Sequence, residues 1–109
     1  MKGNEMNNQI NFKIDNSICE KVINAYGKIN QLDMVMEESA ELIKAINKYK
    51  RKRFTDDETN AINDIIEESA DVIIMIAQIC GMFNCYDKLQ NKIEEKTLRL
   101  NERLKDEDN

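Results

Sequence analysis

The chain contains no histidine and no proline. Without histidine it cannot form a Ser-His-Asp triad, an imidazole general base, a histidine phosphotransfer site or a zinc site that needs an imidazole ligand. Without proline it lacks the residue that most strongly interrupts helices, which favours long helical segments. Any chemistry must therefore use carboxylates, lysine or arginine, tyrosine, serine or thiols.

Cysteine is scarce as well. Cys19, Cys80 and Cys85 are odd in number and form no Cys-x-x-Cys pair. This usage disfavours a secreted disulfide framework and is typical of reduced thiols, whose expected role is apolar packing. The N-terminal residues lack the apolar stretch of a signal peptide, and no apolar run approaches the roughly 18 residues that span a bilayer. We therefore expect a cytoplasmic protein that does not bind membranes.

The length and the net charge of the chain limit the number of domains and the classes of partner. A chain of 109 residues, with 34% charged and 41% hydrophobic residues, fits one soluble domain with a single core. Its 21 acidic residues exceed its 16 basic residues, which gives a formal net charge of −5. This excess disfavours nucleic acid as a partner, because binding nucleic acid depends on neutralising phosphates.

Hydrophobic periodicity and capping residues predict an all-α protein, a bundle of four antiparallel helices. Two capping-box pairs, Ser17 with Glu20 and Thr55 with Glu58, indicate helix starts. The third helix is apolar nearly all round, so it should lie centrally or in a subunit interface. The predicted helices are residues 17–29, 31–53, 56–82 and 85–106.

The domain prediction follows from these helices. Residues 17–106 should form one helical domain, and residues 107–109 should fray. Residues 1–16 are polar and predict a flexible arm, within which Ile10, Phe12 and Ile14 alternate with polar residues. This arm could pair as a short strand or lie over a groove, and the sequence leaves both possibilities open.

Two segments of the chain repeat one pattern thirty positions apart. Residues 36–43 read MEESAELI and residues 66–73 read IEESADVI. Two copies are too few for a solenoid. They suit two antiparallel helices that present matching features to each other.

Each copy carries two carboxylates three residues apart, Glu38 with Glu41 and Glu68 with Asp71. A solvated acidic face is the usual explanation of such a pair. However, Glu38 and Glu68 project among apolar residues, where an ionised carboxylate costs several kcal/mol unless it is compensated. Raised pKa values would relieve part of that cost, and a divalent cation would relieve more. Because only oxygen ligands are present, the cation expected in a one- or two-metal site is Mg²⁺ or Mn²⁺.

The order and spacing of these carboxylates resemble the motif of the MazG-like, all-α nucleoside triphosphate pyrophosphohydrolases. That motif reads Glu38-x-x-Glu41, then 26 residues, then Glu68-x-x-Asp71. The doubled glutamates at 37–38 and 67–68 are also typical of the family. The resemblance covers about residues 20–100.

The resemblance implies Mg²⁺-dependent hydrolysis of an NTP or dNTP between the α and β phosphates. The products would be a nucleoside monophosphate and pyrophosphate, as in housecleaning of the nucleotide pool. Glu38, Glu41, Glu68 and Asp71 would be the metal ligands, and we assign Glu37 as the general base. Family members of this size usually complete their bundles and active sites by oligomerising, so we expect a homodimer or a homotetramer.

Basic residues provide candidates for binding the substrate phosphates. Lys92, Lys96 and Arg99 share one face of the last predicted helix, where the family tends to bind phosphate. They fit equally well as surface residues paired with neighbouring glutamates. The basic run at residues 48–53 is favourable charge at a helix C-terminus, with phosphate steering as the alternative.

A function of another class also fits the sequence. The chain could be a non-catalytic helical protein, a dimerising or adaptor partner that kept the fold. A third possibility is a phosphohydrolase that acts on a non-nucleotide anhydride.

Overall fold

A computed structural model describes residues 8–108 of the protein, and it is all-α, as predicted. Every helix boundary lies within three residues of its predicted position. The arm predicted at residues 1–16 lies partly outside the described residues, as does the last residue of the predicted frayed tail, Asn109. The helices are α1 (Asn16–Tyr26), α2 (Lys28–Lys52), α3 (Glu58–Phe83) and α4 (Tyr86–Asp108).

The N-cap of the first helix lies two residues before Ser17, the N-cap that the capping box predicts. Asp15 is the N-cap, and its Oδ1 atom accepts the backbone N–H groups of Ser17 at 3.0 Å and Ile18 at 3.3 Å. Ser17 therefore lies inside the first turn and does not cap it. The helix ends at Gly27, whose φ of 88° turns the chain directly into α2.

Antiparallel packing of α2 against α3 forms the centre of the fold. Near one end of the pair, the buried Gln31 Nε2 donates a hydrogen bond to the buried Gln78 Oε1 at 2.8 Å. Near the other end, Lys48 Nζ lies 2.7 Å from Asp64 Oδ2. These two contacts fix the register of one helix along the other.

The predicted central position of the third helix is confirmed, because α3 contacts each of the other three helices. The buried Cys19 lies in α1, and the Cδ1 atom of Ile23 lies against Gly81 of α3. Within the described residues, α4 packs against α3 alone among the helices. From residue 90 to residue 107, every residue of α4 is exposed.

The N-terminal residues that the structure describes form no strand. Instead, Ile10, Phe12 and Ile14 line a cavity of about 770 Å³ beside α3 and the start of α4. The strand is therefore not formed in residues 8–15, and Ile10 and Phe12 stay largely exposed at the cavity.

The surface of the chain is large for its size. A compact protein of 12.7 kDa exposes about 6,200 Å², whereas this chain exposes 9163 Å². Its radius of gyration is 17.3 Å, compared with about 13 Å for a compact domain of the same length. In residues 8–108, no helix combines the length and apolar character needed to cross a bilayer.

Candidate metal centre

The register of α2 against α3 brings the two repeated motifs face to face. Glu38 lies two helical turns after Gln31, and Asp71 lies two turns before Gln78. Because the helices are antiparallel, Glu38 must lie opposite Asp71. One turn farther along, Glu41 lies opposite Glu68.

Three of the four predicted ligands converge on one point. One carboxylate oxygen from each of Glu38, Glu68 and Asp71 lies within 4.8 Å of the other two. All three residues are partly buried. The Oε2 atom of Glu68 is buried and has no hydrogen-bond partner among the described residues. Oxygen ligands converging from two rigid helices, one of them unsatisfied, fit a hard divalent cation such as Mg²⁺.

The raised pKa values of the cluster also favour a bound cation. Burial raises the pKa of Glu38, and the charge of Asp71 and a hydrogen bond with it raise that pKa further. Burial also raises the pKa of Glu68, and the charges of Asp71 and Glu41 add to the effect. Like charges held close together oppose their own ionisation, and a bound cation would reverse this penalty.

The fourth predicted ligand, Glu41, lies at the rim of the cluster. Its side chain is 49% exposed, and one of its oxygens is 3.6 Å from the Nζ atom of Lys44. Its charge still contributes to the raised pKa of Glu68. Glu37, the predicted general base, is exposed and contributes to the raised pKa of Glu38. Its role in proton transfer stays a prediction.

A groove of mixed charge adjoins the carboxylates, and the predicted site did not include its basic side. This cavity of about 400 Å³ lies next to Glu41 and Glu68. Its Lys48–Asp64 ion pair raises the pKa of Lys48 through the hydrogen bond and the charge of Asp64. Helical spacing contained the signal, because Asp64 lies one turn before Glu68 and Lys48 two turns after Glu41. The other residues that line the groove are Lys44, Ala45 and Arg51.

The three basic residues predicted to bind phosphate lie elsewhere. Lys92 Nζ is 2.9 Å and Arg99 Nη2 is 3.3 Å from carboxylate oxygens of Glu95, all on exposed α4. Neither these residues nor Lys96 line the groove beside the carboxylates. Their geometry matches surface pairing, and a phosphate-binding role for them stays a prediction.

Comparisons of the chain with protein-family models, with curated proteins and with solved structures find no match. Its function must therefore be inferred from its own residues. The most informative of these are the carboxylates that α2 and α3 hold against each other.

Proposed function

We propose that this protein is a Mg²⁺-dependent hydrolase of nucleoside triphosphates that cleaves (d)NTPs between the α and β phosphates. The observation that carries the proposal is the convergence of Glu38, Glu68 and Asp71 within 4.8 Å. Carboxylates that converge without histidine suit Mg²⁺, which characteristically bridges a few protein oxygens to substrate phosphates. Mn²⁺ suits the same ligands.

Each residue of the cluster has a distinct part in the proposal. Glu38, Glu68 and Asp71 would hold the cation, and Glu41 would complete its coordination from the rim. The cation would neutralise phosphate charge and lower the pKa of an attacking water. Glu37 would accept the proton of that water, since it precedes Glu41 by one helical turn.

The basic side of the groove is a better candidate for the phosphate tail than α4. Lys44, Lys48 and Arg51 are spaced so that they share one face of α2, and all three line the groove beside Glu41 and Glu68. Cations next to a cluster of carboxylates would attract a polyphosphate to the metal. The charge of the basic run at residues 48–53 would then serve the substrate as well as the helix end.

We also propose that the protein works as a homodimer, alone or paired into a homotetramer. The chain exposes about 3,000 Å² more surface than a compact protein of its mass. This excess area is large enough to contain one chain's share of an obligate interface. Met36 is 64% and Ile66 is 61% exposed, and they occupy equivalent positions of the two motifs. Each lies two residues before a carboxylate that faces the other helix, so both side chains point away from the α2–α3 contact. A second copy that packs against these outward-facing residues would bury them and complete a four-helix arrangement with twofold symmetry.

Other exposed apolar residues of α2 and α3 add to this outward-facing surface. We define the outer face by Met36, Ile43, Ile46, Ile62 and Ile66. Exposed apolar surface of this extent is typical of interfaces. A dimer formed here would also be compatible with the non-catalytic alternative, so only an activity measurement separates the two functions.

The test of the enzymatic proposal is product analysis with Mg²⁺ and a panel of NTPs and dNTPs. Hydrolysis between the α and β phosphates gives pyrophosphate and a monophosphate. Release of inorganic phosphate with a diphosphate would indicate a different bond and would contradict the proposal. No turnover with any nucleotide, from a protein that still dimerises, would favour the adaptor alternative.

A further inference from the structure

The end of α3 places two cysteines at the two ends of one backbone hydrogen bond. Asn84 is in the left-handed region, with φ 49° and ψ 51°, and its N–H donates to the carbonyl of Cys80. The N–H of Cys85 donates to the same carbonyl at 3.2 Å. In this type of helix ending, the residue after the left-handed residue donates back to a carbonyl in the last turn of the helix. The side chains of these two residues, here Cys85 and Cys80, commonly pack together. Here both side chains carry thiols.

The distances suit a covalent link between these thiols. A backbone N···O distance of 3.2 Å keeps the Cα atoms of Cys80 and Cys85 within about 7 Å of each other. Disulfides span Cα distances of about 4.4–6.8 Å. Burial raises the pKa of Cys80, and the neighbouring side chain of Cys85 raises it further.

Cys80 and Cys85 are more exposed to solvent than the third cysteine, Cys19. Cys80 and Cys85 are partly exposed, and Cys80 lines the cavity between α3 and α4. Cys19 is only 3% exposed. A small oxidant can therefore reach the pair while Cys19 is protected.

We propose that Cys80 and Cys85 form a reversible intramolecular disulfide when the protein meets a hydroperoxide. One thiolate sulfur attacks the peroxide, the O–O bond breaks, and an alcohol or water leaves as the sulfur becomes a sulfenic acid. The second thiol then attacks that sulfur and releases water as the S–S bond forms. The two thiols lose two electrons and two protons, and the hydroperoxide is reduced to an alcohol and water.

The position of this disulfide gives it a structural consequence. Within the described residues, α4 packs on no helix other than α3, so the turn between them determines the direction of α4. A covalent link from Cys80 to Cys85 would close a ring across that turn. Oxidation would then hold the start of α4, and the wall of the adjoining cavity, in one arrangement.

The experiment is thiol counting before and after treatment with hydrogen peroxide. Protein is denatured, free thiols are alkylated, and intact mass and peptide maps are measured. Reduced protein should take three alkyl groups. Oxidised protein should take one, at Cys19, with residues 80 and 85 in one cross-linked peptide that dithiothreitol releases.

Serine variants give matched controls, and circular dichroism verifies that each one folds. Cys19→Ser should still lose two thiols on oxidation, whereas Cys80→Ser and Cys85→Ser should form no intramolecular link. Three alkylated thiols after peroxide treatment would overturn the proposal. So would a disulfide that includes Cys19, or one that joins two chains.

Discussion

The carboxyl group of Glu38 lies opposite that of Asp71 across the α2–α3 interface, and burial together with the charge of Asp71 raises the pKa of Glu38. Neither helix alone contains this contact. It arises because the Gln31–Gln78 hydrogen bond and the Lys48–Asp64 ion pair fix the register of the two helices. The site is therefore a product of helix pairing, and its stability and its chemistry should respond to the same carboxylates.

Glu68→Gln should stabilise the metal-free protein at neutral pH. The pKa of Glu68 is raised above its ordinary value of 4.5 in the folded state, so ionisation opposes folding. Its contribution to stability is favourable at low pH and falls as the pH rises from 4.5 through the raised pKa, because the unfolded state binds fewer protons there. At pH 7 in EDTA, urea unfolding should give the variant a free energy of unfolding at least equal to that of the wild type.

The advantage of this variant should shrink as the pH falls and be nearly absent at pH 3, well below 4.5, where Glu68 is largely protonated in both the folded and the unfolded state. Because the charge of Glu68 also raises the pKa of Glu38, the difference between the two proteins reports Glu68 together with this coupling. A variant that is less stable than the wild type at pH 7 would show that the Glu68 charge is compensated without a metal.

Mg²⁺ should raise the melting temperature of the wild-type protein and have much less effect on Glu68→Gln or Asp71→Asn. A ligand at 100 times its Kd stabilises the folded state by about 2.7 kcal/mol. Scanning calorimetry with and without Mg²⁺ measures the shift. Glu102→Gln, an exposed substitution on α4, should keep the full response. An equal response in all four proteins would mean that the ion binds elsewhere.

Gln78→Ala should destabilise the fold by about 1–3 kcal/mol, because it leaves the amide of Gln31 buried without a partner. Denaturant unfolding measures the loss. Gln90→Ala replaces an exposed glutamine of α4 and should change stability by well under half of that amount. If the two substitutions cost the same, the buried pair does not fix the helix register as argued above.

Ile66→Lys should convert the proposed dimer into a monomer, weakening association by roughly 10²-fold or more, because it buries an unpaired charge in the outer face. Leu98→Lys is the matched control. Leu98 is 65% exposed but lies on the side of α4 opposite Leu89, away from α3. Sedimentation equilibrium should give a monomer for the first variant and a dimer for the second. Wild-type protein that sediments as a monomer would contradict the dimer directly.

The helices and the facing motifs could be predicted from the sequence because both depend on local periodicity. Capping was harder to predict, since Asp15 and Ser17 are both good N-cap residues and only the path of the chain selects Asp15. Helical spacing places Lys48 and Asp64 on the same faces as the carboxylates, but their approach to each other also depends on the tertiary register of α2 against α3. The direction of α4 depends on the left-handed turn at Asn84, and the sequence alone did not reveal that turn.

The most direct test of the central claim is pyrophosphate release from (d)NTPs by wild-type protein and Glu68→Gln, each with Mg²⁺ and with EDTA. A metal supplies several kcal/mol of charge stabilisation, and each 1.36 kcal/mol is a factor of ten in rate. We predict Mg²⁺-dependent release by the wild type, unchanged release by Glu102→Gln, and a loss of roughly 10²-fold or more in Glu68→Gln. Equal rates for the wild type and Glu68→Gln would contradict the proposal that these facing carboxylates form the active site.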